Sequence, residues 1–138
     1  MDEATFRTYI GHFNRAEYDE LVRYFADDVA LSFPDGRTLE GRDGIVAFYR
    51  PIHAAVREIL EIDFLLVGER TIAVELYTEF HARTDFPDFP GRALKAGDVL
   101  RFTSFVHYDL DESDRFRRIR VARYREHDES YRAGRSAS

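Results

Sequence analysis

Through the first third of the chain, apolar residues recur every three or four positions. Phe6, Tyr9, Ile10, Phe13 and Ala16 share one stripe, which predicts an amphipathic helix over residues 4–16. Asn14 and the acids Glu17, Asp19 and Glu20 separate it from Tyr18, Leu21, Val22 and Phe25, a shorter second helix that ends near Asp27 and Asp28. Its early acids suit the positive end of the helix dipole. Val29 to Phe33 reads as a strand, and Pro34, Asp35 and Gly36 preset a turn after it. Helical spacing returns from Gly41 to Arg50 through Ile45, Phe48 and Tyr49; Pro51, which has no amide proton, is expected to end or kink that helix. From residue 57 the period falls to two. Strands are expected over 57–67, 71–84, 99–110 and 116–125, broken at Gly68-Glu69-Arg70, at 85–98 with its prolines and glycines, and at 111–114. Short joints between long strands favour antiparallel neighbours, so three helices precede a curved antiparallel sheet in an α+β layout.

The length of 138 residues, 44% hydrophobic, suits one domain over 1–130 with a frayed tail over 131–138. A chain of this size folds without disulfides or a structural metal. The absence of cysteine excludes a disulfide scaffold, a thiolate zinc site and a cysteine nucleophile, and accords with a cytoplasmic setting. No glycine-rich phosphate loop and no metal-ligand motif occurs, so neither cofactor nor metal is expected. No apolar run approaches the ~18 residues of a membrane span, so no membrane partner is expected either. Charge is uneven: residues 1–112 carry 12 basic and 22 acidic side chains, residues 113–138 carry 8 and 4. The acidic body repels nucleic acid. The arginine cluster from Arg115 to Arg125 alternates like a strand, which favours pairing with that body over a polyanion-binding patch.

Residues 8–36, TYIGHFNRAEYDELVRYFADDVALSFPDG, followed by Gly41-x-x-x-Ile45-x-x-Phe48-Tyr49, resemble the nuclear transport factor 2-like superfamily, in particular its SnoaL-like and ketosteroid-isomerase-like branch. The resemblance implies a cone-shaped, cystatin-like roll of three N-terminal helices on a bent sheet, enclosing an apolar pocket, with dimers formed through the outer sheet face. It implies that Tyr9 stands where a first-helix tyrosine donates to a substrate oxyanion, that Tyr49 supports it, and that the family's proton-shuttling aspartate is replaced by Phe33. The carboxylic acid that shares the oxyanion hole in such enzymes falls on Ser104. The fold is specified well by these motifs and the reaction poorly, because one fold hosts many chemistries.

Phe33 accepts no proton at any pH, so a base must come from elsewhere. His53 and His12 border the expected pocket and titrate near neutrality, which makes them the candidate replacements; each is also readable as a satisfied surface or core histidine. Asp35 has its turn as a sufficient explanation. Tyr9 either serves a ligand or bonds internally to Tyr49 or a carbonyl. Phe13, Phe25, Phe33, Phe48, Tyr49, Leu76, Phe102 and Ser104 are the expected pocket walls. If Ile119 and Val121 face the core, so does Arg123, either to bind a ligand's anionic oxygen or to pair with an internal acid or solvent. The outward set Tyr77, His81, Phe105 and His107 is aromatic enough for a homodimer interface. Phe86 and Phe89 sit on a proline-braced loop that is either a lid or a dimer contact. Two functions follow: cofactor-independent acid–base chemistry of isomerase, cyclase or lyase type on a small hydrophobic carbonyl compound, or a binding or assembly domain without chemistry.

Overall fold

The computed structural model describes residues 1–132. Three helices, α1 (Glu3–Asn14), α2 (Tyr18–Leu21) and α3 (Arg42–Ala55), accompany six strands: β1 (Phe25–Ser32), β2 (Thr38–Glu40), β3 (Val56–Val67), β4 (Thr71–Ala82), β5 (Val99–Leu110) and β6 (Phe116–His127). They form one sheet in the order β2-β1-β6-β5-β4-β3. All neighbours are antiparallel except β1 and β6, which run parallel, so the sheet is mixed where hairpin logic alone predicts antiparallel pairing. The parallel pair arises because the crossover from β1 returns to its flank only after the three long hairpin-linked strands are laid down. The architecture is the α+β roll expected, with the sheet left open.

α1 starts at Asp2, whose carboxylate accepts from the Thr5 amide at 2.8 Å, and buries Phe6, Tyr9, Ile10 and Phe13 against the sheet. The second helix is shorter than its spacing predicts. After α2 a single 3₁₀ turn, Val22–Tyr24, leads straight into β1 at Phe25, four residues earlier than expected, with Asp27 and Asp28 exposed on the strand. Pairing with β6, irregular between Phe25 and Ala30, overrides the local helical pattern there. The Pro34-Asp35-Gly36 turn closes a hairpin onto the short edge strand β2, which no periodicity announces. At Gly41, φ is +78°, a backbone conformation that side chains disfavour, and it lets the chain turn from β2 into α3.

Pro51 does not end α3, which runs on to Ala55. One missing backbone bond is outweighed by burial of Ile52 and His53 beyond it. Bulges on β3 and β6 bend the long strands around the helices. Most of the core lies between α1, α3 and the concave face; a second cluster, including Phe80, Phe89, Leu94 and Leu100, packs beneath the loop between β4 and β5. Tyr131 and Arg132, expected in a frayed tail, fold back on the convex face. Arg132 lies 3.9 Å from the centre of the Tyr77 ring and pairs with Glu61 and Asp63, and Tyr131 stacks on His127. The rest of that tail, 133–138, lies outside the described residues. No helix among the described residues is long and apolar enough to cross a membrane.

Candidate functional site

The concave face and the helices enclose a cavity of about 360 Å³. Tyr9, Phe13, Phe25, Phe33, Phe48, Tyr49, Leu76, Phe102, Ser104 and Arg123 all line it. His12 does not. It sits at the last turn of α1 with Nδ1 2.8 Å from Glu17, because the stripe that carries Tyr9 and Phe13 inward turns position 12 to the flank. His53 is buried beside the cavity, stacked on Tyr49 with ring centres 5.1 Å apart and edge-on to Phe13 at 5.4 Å.

His53 is the middle of a hydrogen-bonded chain. Its Nδ1 lies 2.6 Å from the Tyr18 hydroxyl and its Nε2 3.0 Å from Oε1 of Glu58. A neutral imidazole satisfies both contacts, with Tyr18 donating to Nδ1 and the Nε2 proton donated to the carboxylate. Glu58 and Tyr18 both line the cavity, and the side chains of His53 and Glu58 are only 5% and 9% exposed. Burial pushes the Glu58 carboxyl above its ordinary range, and the bond from His53 offsets part of that. Neither Glu58 nor Tyr18 figures among the candidates read from sequence. The signal for Glu58 is the alternation of β3: Val56, Leu60 and Ile62 share the inward face, and Glu58 sits between them. An acid on an apolar face is the anomaly that marks it.

Three tyrosines form a hydroxyl-bearing wall. Burial holds the Tyr9, Tyr49 and Tyr108 hydroxyls protonated, all three raised above the usual phenol value, with the Glu58 charge adding to the effect on Tyr9 and Tyr49. Tyr9 packs edge-on to Tyr108 with ring centres 6.2 Å apart, and the neighbouring Tyr108 adds to the rise at Tyr9. Tyr49 packs instead on His53 and Phe13. Apart from Glu58, Asp35 is the other carboxylate among the lining residues. Its oxygens are engaged by the Arg37 amide at 2.9 Å and guanidinium at 2.7 Å, which hold it below the usual carboxylate range. Phe33 lies tilted against Phe48 with ring centres 5.1 Å apart, and Arg37 sits over both rings. Phe89, Pro90 and Gly91 close one side of the cavity, with Phe89 edge-on to Phe80 at 4.8 Å.

On the convex face, Tyr77 is buried under Tyr131 and Arg132 rather than open to a partner. His81 is bonded to Glu79 at 2.7 Å, and His107 to Thr71 and Arg120, at opposite ends of the sheet. Phe64, Leu66, Phe105 and Tyr124 remain exposed there. Among the described residues no group of three or more His, Cys, Asp or Glu is arranged to hold a metal ion.

Helices over the concave face of a bent six-stranded sheet, with a cavity between them, define the roll of the nuclear transport factor 2-like proteins. The chain belongs to the SnoaL-like domain family, whose model matches residues 6–119. Among solved structures it is similar to a SnoaL-like polyketide cyclase from Agrobacterium tumefaciens, with 21% identity over 87% of this chain and 88% of that one and a TM-score of 0.67. It is similar also to an NTF2-like protein of unknown function from Burkholderia pseudomallei, with 18% identity over 88% of each chain and a TM-score of 0.70. A third is a hypothetical protein with a ketosteroid isomerase-like fold from Catenulispora acidiphila, in complex with trimethylamine, with 11% identity over 88% and 86% and a TM-score of 0.69. At these identities the likeness is one of fold. No curated protein matches the sequence.

Proposed function

We propose that the cavity binds a small, apolar carbonyl compound and moves a proton on it, with Glu58 as general base and the tyrosine wall as oxyanion donor. The observation that carries this reading is the buried Glu58 carboxyl on the otherwise apolar inward face of β3, with one oxygen fixed by His53 and its side chain open to the cavity. A proton leaves the carbon next to the carbonyl for the carboxylate, and the enolate oxygen accepts a hydrogen bond from Tyr9 or Tyr108. Return of the proton to another carbon gives isomerisation; capture of the enolate by a second carbonyl gives cyclisation. His53 and Tyr18 act as positioning residues, holding the Glu58 carboxylate in one orientation. The volume, at the low end of the roughly 300–1,000 Å³ typical of ligand sites, suits one or two rings. The complex of a fold relative with trimethylamine and the cyclase assignment of another support a small-molecule role.

The binding-domain alternative is favoured by one feature, Phe33 where the resemblance implies the aspartate, packed against Phe48 in the cavity wall. Exchange of the α-protons of 2-tetralone in D₂O, followed by proton NMR, separates the two. Catalytic exchange that falls about 10²- to 10⁴-fold in Glu58→Gln is expected. Exchange no faster than in buffer favours the binder. The same proposal includes a homodimer through the exposed convex-face residues Phe64, Phe105 and Tyr124.

A further inference from the structure

Across the sheet from Glu58 lies a polar pair that the proton transfer does not use. Ser104 on β5 and Arg123 on β6 are cross-strand partners, and both line the cavity. A bulge brings them together: Thr103 pairs with Arg125 and Ser104 with Arg123, which leaves Tyr124 as the extra residue. Arg123 therefore faces inward after Ile119 and Val121, while Arg125 falls opposite the outward-facing Thr103 and Glu126 opposite the cavity-lining Phe102.

Arg123 lies at the open side of the cavity with its guanidinium 3.8 Å over the Phe102 ring. Stacking occupies the face of a guanidinium and leaves its N–H edge for an acceptor. Among the described residues no carboxylate lies within ion-pair distance of it. Glu126, whose charge reaches Arg123, is engaged by Arg92 at 2.6 Å, and the other rim arginine, Arg37, by Asp35 at 2.7 Å. Ser104, its cross-strand partner, is buried on the cavity wall. An exposed guanidinium stacked on an aromatic ring, with a buried hydroxyl on its cross-strand partner and no ion-paired carboxylate among the described residues, matches the two oxygens of a carboxylate.

We infer that the compound the cavity takes is a cyclic keto acid, its carboxylate held by Arg123 and Ser104 at the open side while the reacting carbonyl lies at the Tyr9–Glu58 end. The inference rests on the proton-transfer reading for the carbonyl end alone. Three strand spacings, about 14 Å of sheet, separate β6 from β3, enough to keep the two ends of a two-ring skeleton apart.

Calorimetric binding of 2-naphthoate and of its neutral isostere 2-naphthamide tests it. The wild-type protein is expected to prefer the naphthoate by about tenfold or more. Arg123→Gln should abolish that preference while naphthamide still binds, which also shows that the variant folds; Ser104→Ala should remove part of it. Equal affinities in the wild type, or a preference that survives Arg123→Gln, would overturn the inference. Glu58→Gln keeps the preference whatever it does to 2-tetralone exchange. A lost preference with intact exchange sinks the carboxylate, and an intact preference without exchange sinks only the base.

Discussion

Glu58 illustrates how a single side chain gains its chemistry from its surroundings. An ionised carboxylate on an apolar wall is under-solvated, so its proton is held more tightly than in water, and the bond from His53 limits the effect. The direction fixes a prediction. A base must be unprotonated, so activity that depends on Glu58 is absent at low pH and rises as the pH passes through a raised carboxyl pKa, above the ordinary value of 4.5. At this scale the sequence was legible where periodicity speaks and silent where contacts are made across the fold. Stripe and alternation placed Tyr9, Phe13, Leu76, Ser104 and Arg123 on the cavity wall. His12 was misplaced because nearness to Tyr9 along the chain is not a shared face. The Tyr18–His53–Glu58 chain joins α2, α3 and β3, and nothing local marks such a meeting.

The elements are tied together by a few side chains that do the work of missing strand neighbours. β3 is an edge strand, and Asn14 at the end of α1 supplies it with both halves of a backbone pair: Nδ2 donates to the Leu60 carbonyl at 2.9 Å, and Oδ1 accepts from the Leu60 amide at 2.8 Å. This clamp fixes the helix over the strand that carries Glu58. Asn14→Ala leaves both Leu60 groups without partners in a half-buried place. It should cost about 1–3 kcal/mol, read as a lower urea midpoint at unchanged slope. A loss near zero would show that water replaces the amide. The long strands and α1 were legible because they repeat one period over many residues. β2, the early start of β1 and its parallel pairing with β6 were not, since each depends on a partner far away in sequence.

In the molecule as a whole, the sheet has a concave face that holds the cavity and a convex face with two different halves. The C-terminal turn covers one half through Tyr131 and Arg132, while Phe64, Leu66, Phe105 and Tyr124 leave the other exposed. A sheet face this apolar is expected to be covered by a second copy. Sedimentation should therefore find a dimer at micromolar concentration, and Phe105→Glu, which places a charge in the centre of that face, should give a folded monomer. A wild-type monomer would remove the interface and leave the cavity untouched. Of the outward aromatic positions read from the sequence, Phe105 lies in this exposed patch; the covering of Tyr77 was hidden, because it depends on a tail that returns to the sheet from beyond β6.

The measurement that bears most directly on acid–base chemistry in this cavity is the pH dependence of 2-tetralone α-proton exchange, recorded for the wild type and for Glu58→Gln. The wild-type rate should rise with pH along a limb above the ordinary carboxylate range, and in Glu58→Gln both the limb and the rate enhancement should vanish. A wild-type profile indistinguishable from buffer, or a limb that persists unchanged in Glu58→Gln, would contradict the assignment of Glu58 as the base.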